Sequence, residues 1–304
     1  MHDQPVDEHL SLSPLTLAGH TFAWGQRTYI MAVLNITPNS FSGDGLATSD
    51  DQVNRAVAQA RRAAAEGADM LDIGGEATFP GAPTVTPSEE QARVVPVIRA
   101  VAREIALPIS VDTYHAETAA AALAAGAHLI NSIWGLWTPD GTWNAPLAQV
   151  VAERAVPFVL THNRRARPAV DAVGGHYPTV NYTDLMAEII DELQTQVAYA
   201  VAQGIPREQI IIDPGIGFGK TPAQNLDIVR NMAKLRALQL PILIGASRKS
   251  FIGKVLDVPA DQRDAGTAAV TSLAIQRGAD IIRVHNVQLN AQVARMSDAL
   301  VRQP

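Results

Sequence analysis

Ile210-Ile211-Ile212-Asp213-Pro214-Gly215-Ile216-Gly217-Phe218-Gly219-Lys220-Thr221 is a run of β-branched residues that ends in one carboxylate and breaks into alternating glycines. Three consecutive isoleucines without polar alternation mark a strand buried on both faces, as in a parallel sheet. Asp213 then stands at the strand's carboxyl end, where an α/β protein carries its chemistry. The glycines suggest nucleotide binding, but the spacing excludes it. A G-x-x-x-x-G-K-[ST] loop needs glycine at position 214, which is proline; G-x-G-x-x-G needs glycine at 220, which is lysine. What remains is a flat ligand held by Asp213 and approached closely by bare backbone at Gly215, Gly217 and Gly219. The plainer alternative is a glycine turn whose aspartate caps the next helix. Lys220, at the start of that helix, reads as a solvated side chain.

Seven further apolar runs resemble Ile210–Ile212: 29–34, 70–73, 109–111, 128–130, 157–160, 242–244 and 281–284. Alanine-rich stretches at helical spacing, such as Val53, Ala56, Val57, Ala60 and Ala64, lie between them. Glu66-Gly67-Ala68-Asp69, Ala125-Gly126-Ala127-His128 and Arg277-Gly278-Ala279-Asp280 each place a glycine where a helix ends and a strand begins. Eight βα units in this length fit an α/β protein of the (β/α)₈ TIM-barrel class, which typically takes about 250 residues. A doubly wound open sheet is the alternative. No Gly/Ser/Pro linker divides the chain, so residues 1–304 are expected to form one barrel domain, with 1–27 as tail and hairpin. In that hairpin Leu15, Leu17, Phe22 and Trp24 alternate around Gly19-His20 and are positioned to plug the barrel's bottom. The segment from His162 to Tyr182 is long, polar and rich in arginine and glycine, which suits either a lid or a plain loop.

Composition narrows the function. A formal net charge of −6 argues against a nucleic-acid or anionic-membrane surface, while leaving room for a local anion site. With no cysteine, disulfides, thiolate catalysis and Cys-ligated zinc are excluded, and a reducing, cytoplasmic setting is favoured. Residues 1–20 lack the basic start and apolar core of a secretory signal. No apolar span reaches the ~20 residues of a membrane helix.

In a barrel the residues just after each strand share one face: Asn35, Glu76-Ala77-Thr78, Asp112, Asn131, His162, Asp213, Ser247-Arg248-Lys249, Arg283 and His285. Asp112, Asn131 and Asp213 would form an acceptor-rich floor for a heterocycle presenting N–H groups in a plane. Lys249, Arg283 and His285 would form a cationic corner for phosphate oxygens. Each also has a plainer explanation: the aspartates as caps, Asn131 as a partner of loop backbone, Arg283 as the structural partner of an acid. Trp134 and Trp137 read as packing residues.

Taken together, these motifs resemble the dihydropteroate synthase family over Tyr29–Val287. They are Ile30-Met31-Ala32-Val33-Leu34-Asn35-Ile36-Thr37-Pro38-Asn39-Ser40-Phe41-Ser42, Asp72-Ile73-Gly74-Gly75-Glu76-Ala77-Thr78-Phe79-Pro80-Gly81, Ser110-Val111-Asp112-Thr113-Tyr114, Asp213 to Lys220, Ser247-Arg248-Lys249-Ser250-Phe251 and Arg283-Val284-His285. The resemblance implies a TIM barrel that condenses hydroxymethyl-dihydropterin pyrophosphate with p-aminobenzoate, helped by Mg²⁺, and works as a cytoplasmic homodimer. It implies that Asp112, Asn131, Asp213 and Lys249 hold the pterin, and that Asn35, Arg283 and His285 take pyrophosphate and magnesium, with Asn35 as the metal ligand. Thr78, Phe218 and Ser247 would border the aminobenzoate, and the groups at the reacting centre would be Lys249, Arg283, His285 and Thr78.

The chain departs from the family pattern at Ala77 and Phe79, where the family has Ser and Arg, and at Asn39, Ser132 and Asn286, where it has Asp. Thr161 stands where it has Met. Most departures lie outside the pterin floor, so a pterin-binding barrel with other chemistry, such as folate methyl transfer, or a non-catalytic pterin-binding relative are the alternative functions. Arg164 and Arg165 are the nearest substitutes for the cation that Phe79 lacks.

Overall fold

The computed structural model describes residues 12–36, 49–77, 84–164 and 181–302. Asn39, Thr78, Phe79, Arg165 and the middle of the 162–182 segment lie outside the described residues.

A short antiparallel hairpin, β1 (Leu15–Leu17) and β2 (His20–Phe22), precedes the first barrel strand, β3 (Tyr29–Asn35). Helix and strand then alternate. They run α1 (Ser49–Ala65), β4 (Met70–Gly74), α2 (Pro87–Glu104), β5 (Ile109–Asp112), α3 (Ala116–Ala125), β6 (Leu129–Ser132), α4 (Ala145–Arg154) and β7 (Phe158–Thr161). They continue with α5 (Leu185–Ala202), β8 (Ile210–Asp213), α6 (Pro222–Asn231), β9 (Leu243–Ile244), α7 (Ser250–Leu256), α8 (Asp264–Gln276), β10 (Ile281–Val284) and α9 (Val287–Val301).

The eight strands β3 to β10 form one parallel sheet in the order β8-β7-β6-β5-β4-β3-β10-β9. A parallel bridge from Ile212 to Ile242 joins its two edges, so the sheet closes into the (β/α)₈ barrel and the open-sheet alternative is set aside. All eight apolar runs are strands. Several extend one residue past the apolar run to take in a polar one: Asn35, Asp112 and Asp213 are each the last residue of their strand.

Local sequence explains the helix boundaries. α2 and α6 start with the same device: Thr86-Pro87 and Thr221-Pro222 put proline at the first helical position, and Glu89 and Gln224 complete reciprocal capping boxes. The repeated glycine behaves as its spacing suggests; Gly126 closes α3 in the left-handed region at φ 116°.

The hairpin does plug the barrel. Leu15, Leu17, Phe22 and Trp24 pack in one buried cluster with the inward residues Tyr29, Met31, Met70, Leu129, Val159, Ile211, Leu243 and Ile281. Phe22, Trp24 and Tyr29 meet at ring-centroid separations of 4.8–5.9 Å. Trp137 stacks on Trp143 at 3.8 Å, and Trp143 stacks on Tyr199 at 3.9 Å, so this tryptophan is a packing residue between helices. Trp134 is buried with Tyr114, Ile133 and Phe218. No described helix is long and apolar enough to cross a membrane.

Candidate active site

Strand register dictates which side chains meet inside the barrel. Asp72 pairs with Ser110, and Ser110 with Leu129, two residues short of Asn131. Asn131 pairs with Val159, which pairs with Ile211, two short of Asp213. From Asp213 the bridge Ile212–Ile242 and the pair Leu243–Ile281 lead to a position two short of Arg283. Arg283 pairs with Met31, which pairs with Met70, two short of Asp72. A tilted barrel gains this offset at every second strand and builds layers of four side chains from alternate strands. One such layer is therefore Asp72, Asn131, Asp213 and Arg283, from β4, β6, β8 and β10. The layer beneath it, Met70, Leu129, Ile211 and Ile281, is wholly apolar and buried. The barrel thus changes from oil to polar ring across a single layer.

The ring is hydrogen-bonded. Arg283 Nε donates to Asp72 Oδ2 at 2.5 Å and Arg283 Nη2 to Asp112 Oδ2 at 2.8 Å, and Asn131 Nδ2 donates to the same Asp72 oxygen at 3.0 Å. Burial works against the charge on Arg283, but Asp72 and Asp112 more than offset it and its pKa is raised. Asp112 is pushed up to about 7, chiefly by burial, against the pull of Arg283. Burial likewise raises Asp213, opposed by Lys249 and by the Gly215 N–H, which donates to Asp213 Oδ1 at 2.7 Å. Asp213 is not a helix cap, since Thr221 fills that position. The plainer expectation for Arg283, an acid partner, holds twice over, and its Nη1 makes no hydrogen bond among the described residues.

Lys249 bends over the glycine loop, donating to the Ile216 carbonyl, and its ammonium lies 4.3 Å from the centre of the Phe218 ring. It stands at the N-terminal cap position of α7 without a side-chain capping bond. Ser247 and His285 form a pair: the serine Oγ accepts from the His285 backbone N–H at 3.2 Å and lies 3.0 Å from its Nδ1. Burial, with Arg283 nearby, lowers the His285 pKa to about 4, so at neutral pH this residue brings a neutral imidazole and not the cation expected of it. The permanent charges of that corner are Arg283 and Lys249. Asn35 ends β3 in register with Gly74 and is partly exposed. Thr78 lies outside the described residues. A groove of about 590 Å³ lined by Thr84, Tyr114, His115, Thr138 and Asn144 lies to one side, and none of the ring residues lines it.

Lys220, like His285, differs from the sequence expectation. It is half-buried and turns inward, not out to solvent: its Nζ donates to Gly215 O at 2.9 Å and Phe218 O at 3.1 Å, and lies 2.9 Å from His162 Nδ1. Burial lowers its pKa well below the ordinary lysine value, while the carbonyls of His162, Gly215 and Phe218 around it favour the charged form. His162, lowered to about 4 by burial and by Lys220, approaches Glu192 at 2.9 Å. Gly215 cannot carry a side chain here: it sits at φ 70°, and a Cβ would come within 1.8 Å of the His162 carbonyl oxygen. Arg164 is committed to Glu192 and Glu188 and lies over Tyr182 at 4.4 Å, so its charge is already matched. To serve in place of a cation at position 79 it would have to leave Glu188 and Glu192.

Asp72 was not among the sequence-derived site residues because it is embedded in Met70-Leu71-Asp72-Ile73-Gly74, not at a strand end. The signal that could have found it is parity, since Asp72 shares its strand face with Met70 and Gly74.

The model of the family described as pterin binding enzyme matches residues 31–285. A dihydropteroate synthase of Bacillus subtilis is 42% identical over 279 residues, 92% of this chain and 90% of that protein. The Xanthomonas albilineans dihydropteroate synthase solved with 4-aminobenzoic acid superposes with a TM-score of 0.84 at 38% identity, covering 96% of this chain and 99% of that one. The same enzyme in complex with 7,8-dihydropteroate gives 0.81 at 37%, covering 96% and 100%. With a family match over residues 31–285 and relatives of about 40% identity along nearly its whole length, the chain belongs to the dihydropteroate synthase family of pterin-binding enzymes.

Proposed function

We infer that this chain condenses hydroxymethyl-dihydropterin pyrophosphate with p-aminobenzoate, giving dihydropteroate and pyrophosphate, as a transferase of folate biosynthesis. The observation that carries the inference is the ring of Asp72, Asn131, Asp213 and Arg283 within a chain matching the pterin-binding family over residues 31–285. Asp213 accepts from the amino-pyrimidine edge of the pterin, and Asp112, Asn131 and Lys249 hold the rest of the ring. The amine nitrogen of p-aminobenzoate attacks the methylene carbon, the carbon–oxygen bond breaks, and its electron pair leaves with pyrophosphate. The amine is already neutral at pH 7, and it loses its proton after attack. Arg283 and Lys249 supply fixed positive charge to the leaving group. Neutral His285 lies with Nδ1 3.0 Å from the Ser247 hydroxyl, and in the tautomer protonated at Nε2 it would offer that N–H as a hydrogen-bond donor.

Magnesium fits as a companion of the diphosphate. Among the described residues no three acidic or histidine side chains form a metal cage, and Asn35 offers one neutral oxygen, the sparse donor set with which Mg²⁺ binds through substrate phosphates. When bound, the ion neutralises pyrophosphate charge. Phe218 borders the aminobenzoate, while Ser247 acts there through His285. Methyl transfer from a reduced folate gives no use to the Arg283 and Lys249 charges, so the condensation is preferred.

The exposed apolar side chains Val255 on α7 and Met296 and Leu300 on α9, each more than 60% exposed, support a homodimer through outer helices. The absence of cysteine supports work in the reducing cytoplasm. Incubation with the pterin pyrophosphate, Mg²⁺ and p-aminobenzoate, monitored for dihydropteroate and pyrophosphate together, tests the assignment. Pterin binding without either product would overturn it in favour of a non-catalytic relative.

A further inference from the structure

Asp72 is fully buried at the centre of the polar ring, and one of its oxygens, Oδ2, accepts both Asn131 Nδ2 and Arg283 Nε. The two donors come from opposite sides of the barrel, since β6 and β10 each lie two strands from β4. A single carboxylate oxygen therefore joins the residue that faces the pterin to the residue that faces the leaving group.

Each bond fixes something that the donor could not fix alone. An asparagine amide has two nearly isosteric faces, a carbonyl that accepts and an NH₂ that donates. With Nδ2 turned to Asp72, Asn131 shows Oδ1 to a ligand, and that oxygen makes no hydrogen bond to any described residue. Arg283 has a flexible stem and a planar fork. Held by Asp72 at Nε and Asp112 at Nη2, the guanidinium has a fixed plane, and Nη1 is left for an anion. Asp72 itself is too deep to touch either reacting atom, and its Oδ1 is buried with no partner among the described residues.

We propose that Asp72 is the positioning residue of this site: it sets Asn131 to accept from the pterin and locks Arg283 in the plane that receives the pyrophosphate. The proposal rests on the dihydropteroate synthase assignment for its ligands but not for its readout, because binding tests it without turnover.

Calorimetry with the free pterin alcohol and with the pterin pyrophosphate reads the two arms separately. Asp72→Asn removes the charge that holds Arg283 and frees the Asn131 amide to turn. It is expected to weaken the alcohol about tenfold and the pyrophosphate about 10- to 100-fold, the scale of one or two mispaired charged hydrogen bonds. In kinetics the KM for the pterin substrate rises while that for p-aminobenzoate stays within about twofold, a split that general loosening of the barrel does not produce. The double variant Asp72→Asn with Asn131→Asp restores the geometry with the roles exchanged, the amide at 72 donating to a carboxylate at 131 whose second oxygen faces the ligand. Binding should return to within about threefold of wild type.

Wild-type affinity in Asp72→Asn, or a double variant that binds no better than the single, overturns the proposal. A single variant that does not fold beside a double that folds and binds supports it. A wild type that binds pterin without turnover refutes the condensation while leaving the Asp72 comparison intact; a wild type that binds neither ligand refutes both.

Discussion

Replacing Lys220 with methionine probes the most unexpected contact in the site. The ammonium donates to two carbonyls of its own loop, at 2.9 and 3.1 Å, and lies 2.9 Å from His162 Nδ1. Methionine fills much of the volume and makes none of these bonds. A hydrogen bond to a charged group contributes about 1.5–3 kcal/mol and an unsatisfied acceptor costs about 1–3. Because Lys220 is only partly buried, water can reach some of the released groups. The net loss is then about 2–4 kcal/mol rather than the full sum. For a chain of this length, unfolding entropy of about 2.1 cal/mol/K per residue converts that to a melting shift of roughly 3–6 °C. The loop also carries the backbone N–H that donates to Asp213. Pterin affinity should therefore fall by about tenfold even though Lys220 points away from the ligand. Differential scanning calorimetry and pterin titration on Lys220→Met measure both. A variant that melts within 1 °C of wild type and binds pterin equally would show a solvated lysine, as its sequence position alone suggests.

Asp213→Asn turns one acceptor into a donor against the pterin edge and should cost about 2–4 kcal/mol of pterin binding by calorimetry; unchanged affinity in a folded variant would remove Asp213 from the floor. His285→Ala should weaken the pyrophosphate-bearing substrate several-fold more than the free pterin alcohol, and equal weakening would make the Ser247–His285 pair structural. Glu90 is buried, accepts from Thr113 at 2.6 Å and is raised from 4.5 to about 7, mainly by burial. The folded state therefore holds this proton more tightly than the unfolded chain, so the group's contribution declines as pH rises from about 4.5 to 7. Glu90→Gln, which keeps the acceptor, should gain up to about 3 kcal/mol more at pH 8 than at pH 4, and a pH-independent effect in urea titrations would contradict the shift. By the family resemblance, Phe79→Arg should restore a donor for the departing pyrophosphate and raise turnover by about 10²–10³, more with Asn39→Asp; a wild type already as fast as the variant would mean that another cation serves.

The fold was legible because burial on both faces writes parallel strands as unbroken β-branched runs, and Gly67, Gly126 and Gly278 marked where three of the helices ended. Strand ends were less legible. Asp112 and Asp213 broke the apolar pattern one residue before the hydrogen-bonded ladder stopped. The same break made Asn131 and Arg283 visible as site residues, whereas Asp72 lies mid-strand and its partners come from two strands away on either side. Nothing local to Met70–Gly74 announces that closure. Lys220 and His285 were misjudged for another reason: residue type gives a nominal charge and reach, while cavity walls decide protonation and direction. The Lys220 ammonium turns back on its own loop, and the His285 imidazole is held neutral.

The aromatic hairpin beneath the barrel has a kinetic meaning. Phe22, Trp24 and Tyr29, packed under the apolar layer, close the barrel at that end among the described residues. Any ligand that rests on the polar ring is therefore expected to enter and leave at the opposite end, past whatever sits nearer the rim, and release of the deeper one is expected to wait on the shallower.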